Sequence, residues 1–218
     1  MIQVHIWNYR GLKTAMGHAS MHVGASYISW WPAGTSRRFK IPTAIGRAVP
    51  LYSVDHIHGQ SFDDDKLLEA LDANSIWDAT LGTFVDSTTG LMVKPMDPDH
   101  TITIDGLDEG RILTWWSTFN VPGRQWSTLG QNCATTVGRA LMMGGGDDYA
   151  LGASGWWHSW NMVWQPNDAL RYAQAIARGL GVRAGEHEAI NFVRRFVTSP
   201  LGLTSVSWSV DEQAMADA

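Results

Sequence analysis

A single cysteine, Cys133, in 218 residues leaves no intrachain disulfide to form, so whatever this chain folds into must be held by packing alone. The composition supplies the means. Hydrophobic residues make up 44% and charged residues 17%, far from the balance of a disordered chain. The length suits one domain with a full core. The expectation is one domain over 1–218, with an irregular insertion at about 33–100 and a helical C-terminal extension at about 164–200.

The formal charge of −5, from 21 acidic and 16 basic residues, comes without a Lys/Arg cluster able to neutralise a run of phosphates, which argues against nucleic acid as a partner. Met1 to Arg10 lack a basic patch followed by an apolar stretch, and no apolar run approaches 18 residues. The chain is therefore expected to be made in the cytoplasm without a signal peptide or membrane span, and any export needs a dedicated apparatus. Twelve tryptophans, three times paired (Trp30-Trp31, Trp115-Trp116, Trp156-Trp157), suit core packing or the wall of a pocket for sugar or lipid.

Gly17-His18-Ala19-Ser20-Met21-His22-Val23, a Gly24-Ala25-Ser26 turn and Tyr27 to Trp31 read as a β-hairpin, with His18, Ser20 and His22 on one face of its first strand. A short strand is expected near Leu51 to Val54 and another at His100 to Ile104, with 74–100 otherwise irregular around Pro95 and Pro98. The run Asp63-Asp64-Asp65 before Lys66-Leu67-Leu68 reads as the acidic first turn of a helix in preference to a calcium site. A second helix follows Leu107, capped by Asp105 or Asp108, and a third runs from Asn132 to Met143 until Gly144-Gly145-Gly146 stops it. Further helices are expected from about Pro166 to Arg178 and from about Glu186 to Val197.

Cys133 falls in the first turn of the third helix, where the positive end of the dipole and unpaired N–H groups favour a thiolate and can hold an oxyanion. A cysteine flanked by Ala and Val is also the pattern of a small buried hydrophobe. A histidine on a short rigid strand, His18, adds the base that a thiol nucleophile requires. His56 and His58 form a His-x-His pair that could grip zinc given a third ligand, although polar loop residues follow the same pattern.

Gly17-His18-Ala19-Ser20 with Tyr27-Ile28-Ser29-Trp30-Trp31-Pro32, and later Asn132-Cys133-Ala134-Thr135-Thr136-Val137, resembles the circularly permuted NlpC-type branch of papain-like cysteine hydrolases. The strand Tyr27 to Pro32 looks most like bacterial toxin effectors delivered by type VI secretion. The resemblance implies an α+β, papain-like fold with a small antiparallel sheet against helices, Cys133 as nucleophile at a helix N-terminus and His18 as base. It carries no clear third residue to orient the imidazole; Ser29 and Asp55 are the leading choices and His22 a lesser one. It implies an antibacterial secreted effector that cuts an amide bond in peptidoglycan stem peptides, needs no cofactor, acts in a target cell's periplasm and is neutralised in its producer by an immunity protein. The same cysteine and histidine would also serve a lipid esterase or acyltransferase, or a protein deamidase. A tryptophan-lined glycan-binding module with Cys133 in its core is the non-enzymatic alternative.

Overall fold

The computed structural model describes residues 1–8, 17–32, 54–56, 59–72, 74–127, 130–150 and 164–197, with the backbone alone for 54–55 and 183–197. The chain divides into two compact units, Met1–Gly181 and Val182–Ala218. In the second unit the described residues are helical backbone as far as Val197. The division falls inside the stretch expected as a C-terminal extension.

The first unit is built on a four-stranded antiparallel sheet in the order β3-β2-β1-β7. Its strands are β1 (Ile2–Trp7), β2 (His18–Val23), β3 (Ser26–Ile28) and β7 (His100–Ile104). The expected hairpin and the strand at His100 are both present. The N-terminal segment, read from sequence only for its lack of a leader, forms the central strand β1, with Val4 paired to Met21 on one side and Ile102 on the other.

Alternation decides which side of the sheet each residue meets. Ile2, Val4 and Ile6 of β1 join Ala19, Met21 and Val23 of β2 in the main core, all essentially buried. They pack with Ile112 of α2 (Glu109–Phe119), Val137 and Leu141 of α3 (Cys133–Met143), and Tyr172 and Ile176 of α4 (Pro166–Val197). Each fully buried aliphatic side chain of this set contributes about 1.5–3 kcal/mol. The opposite face carries His5, Trp7, His18 and His22, with ring contacts to Phe62 from His5, Trp7 and His22. Phe62 opens helix α1 (Phe62–Ala70), and on this covered face His18 and Ser20 are buried.

Two smaller antiparallel pairs complete the unit: β4 (Val54–Asp55) with β8 (Gln125–Trp126), and β5 (Ser75–Asp78) with β6 (Thr83–Asp86). The β5–β6 hairpin corrects the expectation of an irregular 74–100, because Ser75 to Asp78 and Thr83 to Asp86 pair across a turn of Ala79 to Gly82. Helix α4 also differs from the expectation of two separate helices, since its backbone runs unbroken through Gly179, Gly181 and Gly185. The glycines weaken a helix without the ring clash by which proline ends one. Asp108, not Asp105, caps α2 by accepting the Arg111 N–H.

Candidate active site

Helix α3 starts where the sequence places it. Asn132 adopts an extended conformation as N-cap and its side chain accepts from the Thr135 N–H at 2.9 Å. The Asn132 amide in turn donates to the carbonyl of Trp164 at 2.9 Å, which anchors the cap to the segment before α4. Trp164 packs so closely on α3 that a Cβ at Gly138 would lie 2.6 Å from its ring, so only glycine fits there. Cys133 is the first helical residue and is partly exposed. The third N–H is taken by the cap, and those of Cys133 and Ala134, in the first turn, have no partner within the helix.

His18 begins β2 directly after Gly17, whose φ of 76° is a conformation that side-chain-bearing residues rarely adopt. Its ring is 1% exposed and lies close enough to Cys133 for the two groups to interact electrostatically. The two residues paired by the sequence reading are thus brought together, and the sulfur is not enclosed in hydrocarbon.

The group that orients His18 is one that sequence reasoning missed. Nε2 of His18 lies 2.9 Å from Oδ2 of Asp65, the third residue of the acidic run, and 3.2 Å from the hydroxyl of Ser29. Asp65 is fully buried. Ser29 donates to its Oδ2 at 2.8 Å, Tyr27 to the same oxygen at 2.5 Å, and the Trp31 indole N–H to Oδ1 at 2.7 Å. Trp31 also stacks on the His18 ring, centroids 4.4 Å apart and planes 25° apart. With Nε2 committed to Asp65, Nδ1 is the nitrogen that remains for the sulfur.

Burial by itself would drive the His18 imidazolium to lose its proton, but Asp65 and Cys133 outweigh it and raise the group to about 10. Burial likewise pushes the Asp65 carboxyl up, and His18, Tyr27 and Ser29 together hold it below its ordinary value. Burial and then Asp65 push the Tyr27 phenol up, so it stays a proton donor to the carboxylate.

Of the sequence candidates for third residue, Ser29 reaches Nε2 but itself donates to Asp65, so it supports the carboxylate and does not replace it. Asp55 has its backbone in β4 opposite Gln125, and its side chain lies outside the described residues. His22 turns away to His5, with Nδ1 2.9 Å from His5 Nε2. Burial and then His22 depress His5 to about 4, leaving an uncharged pair beneath Phe62. His56 has Nδ1 2.7 Å from the Arg124 carbonyl and Nε2 2.9 Å from Oδ1 of Asn120, while His58 lies outside the described residues. Among the described residues no three His, Cys, Asp or Glu side chains are placed to hold a metal ion. The Trp156 to Trp160 segment also lies outside them; Trp30, Trp115, Trp116 and Trp126 form an aromatic cluster with Phe119.

Fold and site together define an α+β protein with a Cys-His-Asp cluster at a helix N-terminus. The family model of the IcsB middle domain matches residues 83–192, just over half of the 218, and the chain belongs to that family. The matched stretch contains Asn132 and Cys133 and begins after His18, Ser29 and Asp65. No curated protein and no solved structure matches the chain. No helix among the described residues is long and apolar enough to cross a membrane.

Proposed function

We propose that the chain is a cysteine hydrolase of papain-like type that works through an acyl-enzyme, with Cys133 as nucleophile, His18 as acid and base, and Asp65 as the group that orients His18. The observation that carries this reading is the alignment of partly exposed Cys133, at the N-terminus of α3, with a buried His18 that it influences electrostatically and that is held by Asp65. A structural histidine would need no carboxylate behind it with both oxygens already supplied with donors.

In the proposed cycle the Cys133 sulfur attacks a carbonyl carbon and the oxyanion is met by the first-turn N–H groups of α3. The tetrahedral adduct collapses as His18 gives its proton to the leaving nitrogen or oxygen, which leaves a thioester on Cys133 and a neutral imidazole. Water then attacks the thioester, His18 takes its proton, and the acid departs as the thiolate-imidazolium pair re-forms. Asp65 stays ionised throughout and stabilises the imidazolium.

We assign the protein the role of a secreted antibacterial effector acting on amide bonds of peptidoglycan stem peptides. Support comes from the resemblance of the His18 and Cys133 segments to such effectors. The family, too, takes its name from a domain of a secreted Shigella effector. The test is incubation of purified protein and of Cys133→Ala with sacculi, followed by analysis of the soluble muropeptides. New peptides with the native chain alone are the expected result, and an unchanged profile at high enzyme concentration removes the substrate. Phospholipid vesicles in parallel separate ester chemistry, which alone releases or transfers fatty acid. A glycan-binding module would keep its toxicity in Cys133→Ala.

A further inference from the structure

A groove of about 410 Å³ is lined by Gly123, Arg124, Gln125, Ser127, Gly130 and Gln131. Gln131 precedes Cys133 by two residues, so their Cα atoms are within about 7 Å of each other. The floor of the groove is braced at both ends by one buried aromatic stack. His56 lies flat on Trp30, centroids 3.7 Å apart and planes 20° apart. His56 holds the Arg124 carbonyl through Nδ1, and Trp30 Nε1 donates to the Gln131 carbonyl at 3.0 Å. The walls are also tied to each other: Gln131 Nε2 donates to the Gln125 carbonyl at 2.7 Å, and Ser127 and Gln131 exchange both backbone hydrogen bonds at 3.1 Å.

The groove is polar, and among the described residues that line it Arg124 is the one charged side chain. Its guanidinium lies over the Phe119 ring, 5.3 Å from the centroid, and among the described residues it pairs with no carboxylate. A guanidinium backed by an aromatic face and surrounded by amides and hydroxyls suits an oxyanion, which it can hold through two parallel N–H bonds.

We infer that this groove is a substrate subsite in which Arg124 receives a carboxylate or phosphate carried by the substrate close to the carbonyl that Cys133 attacks. The inference rests on the proposed role of Cys133. It narrows the substrate class to acyl compounds with a negative charge near the scissile bond and disfavours uncharged lipid esters.

The experiment uses thiol reagents matched in shape and different in charge: N-bromoacetyl-glycine, with one carboxylate, against its neutral isostere N-bromoacetyl-glycinamide, with bromoacetyl-phosphoethanolamine as the phosphate arm. Alkylation rates of Cys133 are measured by mass spectrometry for the native chain, Arg124→Gln and Arg124→Lys at low ionic strength. The cation at His18 is common to all three, so a change in the anionic-to-neutral ratio reports on Arg124. The native ratio should be about tenfold or more, as a charge-assisted hydrogen bond supplies. It should collapse towards one in Arg124→Gln and recover in part in Arg124→Lys; the faster of the carboxylate and phosphate reagents names the oxyanion. An equal ratio in the native chain and Arg124→Gln overturns the subsite. If no reagent modifies Cys133 faster than it modifies the thiol of the urea-unfolded chain, the nucleophile assignment fails instead.

Discussion

Replacing Asp65 by Asn keeps the shape of the side chain and removes its charge, which isolates the electrostatic part of the site. The carboxylate accepts from Tyr27, Ser29 and Trp31 and lies 2.9 Å from His18 Nε2, with both partners of the ion pair at most 1% exposed. An amide has one acceptor oxygen, so at least one of those donors must face its NH₂ group, at about 1–3 kcal/mol. The larger effect is on His18, which is raised from 6.5 to about 10 against the pull of burial. Losing most of that shift is worth up to about 5 kcal/mol at about 1.4 kcal/mol per pH unit, in line with about 3–5 kcal/mol for removing one partner of a buried pair. The sign follows from linkage. A group raised on folding stabilises the folded state fully below its unfolded value of 6.5, and the contribution drains away as pH rises through about 10. The Asp65→Asn penalty should therefore be about 3–5 kcal/mol in urea denaturation at pH 6–7 and should shrink markedly by about pH 10.5. The imidazole resonances of His18, followed by NMR, should titrate several units lower than in the native chain. A penalty that is the same at both pH values, or a His18 titration that does not move, would show that hydrogen bonding alone ties Asp65 to the site.

Cys133→Ser should abolish turnover by a factor of at least about 10³ while leaving Tm within a few degrees, checked by calorimetry beside the activity assay. Trp31→Phe keeps a ring over His18 and removes the donor to Asp65 Oδ1, so kcat should fall with KM little changed, and the upper limb of its pH profile should move to lower pH. Gly138→Ala places a methyl group 2.6 Å from the Trp164 ring, which must shift and pull on the Asn132 cap; a loss of about 1–3 kcal/mol is expected in denaturant titration, with no gain on adding substrate.

The positions legible in the sequence are those whose signals are local. Asn132 followed by a helical pattern announces a cap, and Gly17 before an alternating run announces a strand, so Cys133 and His18 fell at element ends as expected. Asp65 is 47 residues from His18, and in sequence it is indistinguishable from Asp63 and Asp64. All three belong in an acidic first turn, and Asp64 forms the capping box with Ser61. A helix turns about 100° per residue, so Asp63 and Asp64 leave on other faces while Asp65 shares the buried face of Leu68 and Glu69. That i, i+3, i+4 pattern, an acid aligned with a buried leucine, was the available signal. Ser29, the polar side chain of its strand, does reach His18, but its hydroxyl is one link in a chain of contacts that continues to a carboxylate, which the strand itself does not reveal. The signal for strand β1 is the alternation of Ile2, Val4 and Ile6, a short one because Trp7 and His5 on the other face are also buried. Pro95 and Pro98 mark the end of 74–100 as irregular, but both lie beyond the strands of the β5–β6 hairpin and leave its pairing intact.

The most direct measurement of the central claim is the rate at which iodoacetamide alkylates Cys133 between pH 5 and 10 in the native chain and in His18→Gln. If His18 drives the sulfur, the native chain reacts readily at pH 6 and the variant only as the pH approaches that of an ordinary thiol, about 8.5. Superimposable profiles would mean that the imidazole touches the sulfur without activating it.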